Sequence, residues 1–357
     1  MNRKTLGDKI HDWILKIKNH PIHTLVVVIF LICFLIFVYT HPLNAPYNQN
    51  THATLPEVNL PTGTLSLITE PDQGISPVLD IINNSTHSID LVMYEFKDRK
   101  IADALIAAEK RGVSVRVLIN QGYYGKEEAT NEPAYAYLAS QGVSVHWTPA
   151  YFALTHQKTL IVDSNKTLIM TFNFVPSYYS TARDFAILDT DQNDVATTEN
   201  TFTNDWNNKN IYATDGDDLV WSPGSEKSML LLINSAKSEL DIYNEEMADG
   251  GVITALMEAA KRGVNVNIIM TYQSSDKNVF AELKSAGVHL HLFHGQKFYI
   301  HAKIILSDRA YAFLGSENFS FGSLNQNREL GIFLSDPTII SSLFNTFSTD
   351  WQNATPY

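Results

Sequence analysis

Residues 301–318 read His301-Ala302-Lys303-Ile304-Ile305-Leu306-Ser307-Asp308-Arg309-Ala310-Tyr311-Ala312-Phe313-Leu314-Gly315-Ser316-Glu317-Asn318, and much of this stretch stands 145 residues earlier as well. There His156, Lys158, Asp163, Thr171 and Asn173 hold the same register. Asp184 precedes Glu329 by the same 145, as Asp205-Trp206 precedes Asp350-Trp351. Polar residues kept in register over some fifty positions mark an internal repeat, and a repeat is a structural unit used twice. Two His and two Lys held in this way point to one active site built from two halves.

Upstream the repeat continues at a different offset. Asp90 and Asp241, like Gly112 and Gly263, lie 151 apart. The first half therefore holds six extra residues between Gln121 and Ala136, around Gly122-Tyr123-Tyr124-Gly125, in a loop that would shape substrate access. Residues 88–94 form an apolar strand. Ile101, Leu105 and Ala108 share one helical face, and Lys110-Arg111-Gly112 supplies a basic last turn with a left-handed cap. Residues 113–119 are a strand again. Residues 239–270 repeat the pattern, closing their helix on Lys261-Arg262-Gly263. Strands alternating with helices predict an α/β fold with helices on both faces of the sheet.

The N-terminus differs. Arg3, Lys4, Lys9, Lys16 and Lys18 precede an apolar run over residues 25–39, and residues 21–42 hold no Asp, Glu, Lys or Arg. That run is just long enough to span a bilayer. The basic flank is long for a cleaved signal peptide, and Leu43-Asn44-Ala45 is a poor cleavage site. An uncleaved anchor is expected, with its basic end cytoplasmic and the remainder outside. The expected organisation is a basic N-terminus (1–23), a transmembrane helix (24–40), a Pro- and Asn-rich linker (41–62) and two similar α/β domains (63–214 and 215–357) packed with pseudo-twofold symmetry. The only cysteine, Cys33, lies in the apolar run, which excludes disulfides, a thiol nucleophile and a Cys-based metal site from the rest.

The chain carries 26 Lys and Arg against 38 Asp and Glu, for a net charge of −12. Setting aside residues 1–40, with five basic and two acidic residues, leaves −15. Nucleic-acid binders present a basic face, so this balance argues against a nucleic-acid partner.

In a strand, residues i and i+2 point to one face, so His156 projects with Lys158 and His301 with Lys303. Asp163 and Asp308 have the opposite parity and sit in turn-like sequences, which predicts a structural role in fixing the turn, with a nearby base as an expected partner. His289, His291 and His294 have a spacing open to metal. Nothing else in the sequence joins them, and packing is the expected use. Tyr123, Tyr124, Tyr151, Phe152, Tyr178, Tyr179, Phe298 and Tyr299 flank the motifs and could supply an apolar rim for acyl chains. Asn318-Phe319-Ser320 matches a glycosylation sequon, but a site residue would be covered.

The pattern His-x-Lys-x4-Asp-x6-Gly-Ser-x-Asn resembles the HKD motif of the phospholipase D superfamily. Residues 301–318 match it in full; the first copy has Met170-Thr171 where the motif has Gly-Ser, keeping the hydroxyl but not the glycine. The resemblance covers roughly residues 63–357. It implies phosphodiester chemistry without metal or cofactor, with Lys158, Lys303, Asn173 and Asn318 as donors to phosphate oxygens. One imidazole attacks phosphorus to form a phosphohistidine and the other serves as acid, then base. The family analogy makes His156 the nucleophile and His301 the acid, a distinction that the symmetric sequence does not itself draw. Asp184 and Glu329 would accept from the far ring nitrogens and hold each tautomer, with Thr171, Ser316, Asp163 and Asp308 in support. The expected activity is hydrolysis of phospholipid headgroups by a membrane-anchored, extracytoplasmic enzyme. The alternatives are transfer to an alcohol, as in the superfamily's cardiolipin synthases, a nuclease, or a non-catalytic protein that binds phosphorylated ligands.

Overall fold

Apolar runs set the central strands, and their burial on both faces explains why these read as continuous rather than alternating. The computed structural model describes residues 65–122, 131–211, 213, 218–295 and 298–357, all in one compact unit. In the first half these are β1 (Leu65–Glu70), α1 (Ser76–Asn83), β2 (Ser88–Met93), α2 (Arg99–Lys110), β3 (Ser114–Ile119), α3 (Glu132–Ser140), β4 (Ser144–Trp147), β5 (Thr159–Val162), β6 (Lys166–Met170), β7 (Ala182–Asp189) and α4 (Gln192–Trp206). The second half repeats them as β8 (Leu219–Ser222), α5 (Glu226–Ser235), β9 (Glu239–Tyr243), α6 (Gly250–Lys261), β10 (Asn265–Thr271), α7 (Lys277–Ser285) and β11 (His289–Phe293). It continues with β12 (Tyr299–Ile300), β13 (Ile304–Ser307), β14 (Tyr311–Gly315), α8 (Phe321–Asn325), β15 (Glu329–Leu334), α9 (Pro337–Asn353) and β16 (Thr355–Pro356).

The first sheet has the order β1-β7-β6-β5-β2-β3-β4, with β12 of the second half added on β7. The second has the order β16-β11-β10-β9-β13-β14-β15-β8. In each, three neighbouring strands of one half are parallel; the other pairings within a half are antiparallel, and β12 joins β7 in parallel across the halves. Strand–helix alternation thus holds over residues 88–147 and 239–293. Beyond them the strands pair antiparallel, through tight β5–β6 and β13–β14 turns and longer β6–β7 and β14–β15 connections, the last of which holds α8. On β2, Ile89, Leu91 and Met93 join one core with α1 and α2, while Val92 faces Val195 and Phe202 of α4. Helices therefore cover both faces of the sheet.

Repeated chemistry closes the repeated helices. Asp98 and Asp249 accept backbone N–H bonds from Lys100 and Val252 at the starts of α2 and α6. Gly112 and Gly263, at φ +93° and +92°, take the left-handed position past their ends. Asp163 and Asp308 sit at φ +54° and +53° in the β5–β6 and β13–β14 turns. Their carboxylates accept from the backbone N–H groups of Thr86, His87 and Ser88, and of Lys237, Ser238 and Glu239. Each aspartate thus pins its hairpin to the strand beside it, as its turn sequence suggests. Its partners are these amides and the Thr86 or Ser238 hydroxyl, not the nearby base expected from sequence.

A third core joins the halves, with Ile169, Phe185 and Ile187 of one against Tyr243, Ile300 and Ile304 of the other. Two reciprocal ion pairs flank it. Arg183 Nε lies 2.7 Å from Asp350, and Arg328 Nε lies 3.0 Å from Asp205. Reciprocal contacts of equivalent residues are the signature of a pseudo-twofold interface. Among the described residues no helix is long and apolar enough to cross a membrane. The expected anchor at 24–40 and residues 123–130, from the segment that carries the six extra residues, lie outside the described residues.

Candidate active site

The His-x-Lys segments are not strands. His156–Lys158 and His301–Lys303 are extended links entering β5 and β13. What holds them is the other half. His156 and Gln157 donate their backbone N–H groups to the Arg328 carbonyl at 2.9 and 3.0 Å. His301 and Ala302 donate theirs to the Arg183 carbonyl at 3.3 and 2.9 Å. Each segment therefore runs beside the opposite half's Arg-carboxylate dipeptide, Arg328-Glu329 or Arg183-Asp184.

The side chains follow the backbone. His156 Nδ1 is 2.8 Å from Glu329 Oε2, and His301 Nδ1 is 2.9 Å from Asp184 Oδ1. Both carboxylates do meet a far ring nitrogen, but each meets that of the opposite half. A carboxylate at Nδ1 fixes the ring and leaves Nε2 as the atom for chemistry. Burial lowers the His156 pKa, with help from Lys158 and Lys303 and against the pull of Glu329, which favours the neutral imidazole. Glu329 is itself held by Ser323 Oγ at 2.7 Å and Asn327 Nδ2 at 3.1 Å, while Thr171 donates to Asp184.

Thr171 and Ser316 share a further task. Their hydroxyls accept the backbone N–H of Phe185 at 2.9 Å and of Leu330 at 3.2 Å, the residues after the two carboxylates. A hydroxyl at this place positions the carboxylate strand, so Thr serves as well as Ser. The glycine is explained by packing. A Cβ on Gly315 would meet Gly331 Cα at 2.5 Å and Glu317 Oε2 at 2.4 Å. In the first half Met170 pairs with Ala186, and Phe172 replaces the glutamate. Met170 is therefore a packing change.

Lys158 and Lys303 are 1% and 0% exposed, and each donates to the carbonyl of its own histidine. Burial lowers the Lys158 pKa to about 7. Asn173 Oδ1 accepts from the Glu95 N–H at 3.2 Å, and Asn318 Nδ2 donates to Glu245 at 3.3 Å. Asn318 is 5% exposed, so its sequon is covered. Asp163 and Asp308 act at their turns, away from this cluster.

The cleft over the second histidine measures about 420 Å³ and is lined by His301, Asn173, Tyr178, Tyr299, Glu95, Glu245, Glu246 and Asp276 among others. Of the expected aromatic rim, Tyr178 and Tyr299 are present there, with ring centroids 6.3 Å apart. Phe152 and Phe298 instead lie against Arg328 and Arg183 at the interface. His291 stacks on Trp351 at 3.7 Å and His294 tilts against Tyr272, so packing occupies that pair of rings. Glu245 and the two arginines were not singled out from sequence, and Asp205 and Asp350 were seen only as part of the repeat. Arg183 and Arg328 keep the 145 offset and could have been singled out; Glu245 has no like-charged counterpart to betray it.

Both halves match one family model, that of the cardiolipin synthase PLD-like domain, over residues 78–206 and 229–351. Cardiolipin synthase 2 of Bacillus anthracis is 23% identical over 336 residues, covering 80% of this chain and 64% of that protein. The major cardiolipin synthase ClsA of Bacillus subtilis is 23% identical over 349 residues, covering 85% and 71%. The chain thus spans about two thirds of the length of these relatives. Among solved structures, phosphatidylserine synthase of Haemophilus influenzae superposes with a TM-score of 0.65 at 12% identity, covering 84% of this chain and 90% of that one. That likeness shows a shared fold. With its two HKD motifs in one cluster and both halves matched, the chain belongs to the phospholipase D superfamily, in the family of the cardiolipin synthase PLD-like domain.

Proposed function

We propose that this chain transfers a phosphatidyl group from a phospholipid to an alcohol through a phosphohistidine. The observation that carries the reading is the crossed pairing of each histidine Nδ1 with a carboxylate of the other half. His156, kept neutral by burial, attacks phosphorus through Nε2. A P–N bond forms, the P–O bond to the departing alcohol breaks, and the His301 proton goes to that oxygen. In the second step His301 takes the proton of the acceptor hydroxyl, whose oxygen attacks phosphorus and releases His156. Lys158 and Lys303 supply charge to the phosphoryl oxygens.

The relatives are synthases by name, which favours transfer over the hydrolysis put first on sequence. The carboxylates of Glu95, Glu245, Glu246 and Asp276 along the cleft disfavour a polyanionic nucleic acid. A membrane anchor at residues 24–40, with the catalytic part extracytoplasmic, belongs to the same proposal and rests on the apolar run and its basic flank. The test is product analysis by mass spectrometry on phosphatidylglycerol vesicles with and without ethanol. Transfer yields the phosphatidyl alcohol with ethanol and a diphosphatidyl product without it. Phosphatidic acid alone under both conditions would return the reading to hydrolysis.

A further inference from the structure

The two halves carry the same histidines but set different residues against them. Asp98 and Asp249 cap equivalent helices 151 residues apart, so Tyr94 and Glu245, also 151 apart, leave equivalent strands β2 and β9 at the same place. Tyr94 packs edge-on against His156, with ring centroids 4.5 Å apart, and lies 5.1 Å from Lys158 Nζ. It brings a neutral ring. Glu245 brings a carboxylate, and that carboxylate is fully engaged. Its Oε2 lies 2.8 Å from Lys303 Nζ, 3.3 Å from Asn318 Nδ2 and 3.5 Å from His301 Nε2. Its Oε1 accepts from the Tyr299 hydroxyl at 2.6 Å.

These three partners of Oε2 are the donors that the second motif offers a phosphoryl oxygen: an ammonium, an amide N–H and the ring nitrogen that Asp184 does not hold. The Glu245 side chain is 10% exposed and lines the cleft, so a phosphoryl group entering there meets it directly. We infer that Glu245 is a specificity-determining residue, an internal anion placed among the second motif's donors that admits singly charged phosphodiesters and turns away doubly charged phosphate monoesters. The inference rests on the phosphoryl-transfer reading above. Coulomb energy scales with the product of charges. A phosphomonoester carries about −1.5 to −2 at neutral pH against −1 for a diester. The same carboxylate therefore repels the monoester up to about twice as strongly in free energy, and up to the square in affinity. Burial alone would raise the Glu245 pKa, but Lys303 and His301 outweigh it and lower it well below the usual carboxylate range. Protonation near neutral pH does not relieve the repulsion.

The test measures binding, using the full chain and the variants Glu245→Gln and Glu245→Asp. Calorimetry at pH 7.5 gives the affinity for inorganic phosphate and for p-nitrophenyl phosphate, and inhibition gives that for bis(p-nitrophenyl) phosphate. The Gln variant is expected to bind both monoester-like ligands about tenfold or more tightly than the native chain, and the diester only about threefold more tightly. The Asp variant, which keeps the charge, is expected to keep the native discrimination. If the Gln variant fails to fold, Glu245→Tyr, copying the first half, carries the same expectation. Equal gains for diester and monoester, or no gain for either, would overturn the inference even with turnover altered. If no protein in the series binds any of these ligands, the phosphoryl-transfer reading falls and takes the inference with it.

Discussion

His156 and His301 each give Nδ1 to a carboxylate from the opposite half, so the hydrogen bond that orients each ring comes from the other repeat. A nucleophile and its acid–base partner act as a unit, and losing either stops the cycle. His156→Ala and His301→Ala are each expected to lower turnover about 10³-fold or more, measured as product formed from phosphatidylglycerol. Two independent sites would instead leave about half the activity in each single variant. The residues of this unit were legible because the repeat holds them at one offset, and the turn aspartates because their neighbours read as turns. Glu245 was not legible. Its counterpart is Tyr94, and a position where the halves differ sends no repeat signal.

At the scale of elements, the antiparallel strands behind the histidines carry buried acids. Glu70 on β1 sits opposite Asp184 on β7 and is 1% exposed. Burial first, then the charges of Asp184 and Asp72, push its pKa up to about 8 from 4.5. A pKa raised in the folded state contributes stability that is complete below the unfolded value and lost as pH rises through the folded one. The window here runs from about 4.5 to about 8. Thermal melts across pH 5–9 are expected to show a smaller fall in Tm for Glu70→Gln, which has no proton to lose, than for the native chain. Parallel curves would mean that Glu70 is already ionised. Helices, strands and C-terminal caps could be read from apolar spacing and from Gly positions. The β5–β6 and β13–β14 turns could be read from their Asp-containing sequences as well, but the antiparallel returns to β7 and β15 could not, because continuous apolar runs do not say whether the next connection is a hairpin or a crossover.

For the whole molecule, the halves are tied reciprocally. Arg183 reaches Asp350 and Arg328 reaches Asp205, with Arg328 1% exposed, while β12 of the second half pairs with β7 of the first. Removing one partner of a buried ion pair leaves an uncompensated charge and costs about 3–5 kcal/mol. Asp205→Ala is expected to destabilise the protein by that amount in urea titration. Asp205→Ala with Arg328→Met should recover much of it, since neither charge remains. A double variant as unstable as the sum of the two single ones would deny that the residues interact. The 145 offset of these residues was visible in the sequence, but their crossing was not, because it arises only when two folded halves face each other.

That crossing predicts one site built from two halves, and covalent trapping tests this most directly. The His301→Ala chain is given a phosphodiester with a nitrophenol leaving group, which departs without an acid but still leaves the adduct waiting for a base. One acid-labile, base-stable phosphoryl label per chain is expected on the peptide containing His156, mapped by mass spectrometry, and none in the His156→Ala, His301→Ala double variant. No label on His156, or an equal label in the double variant, would contradict a single composite site working through a phosphohistidine.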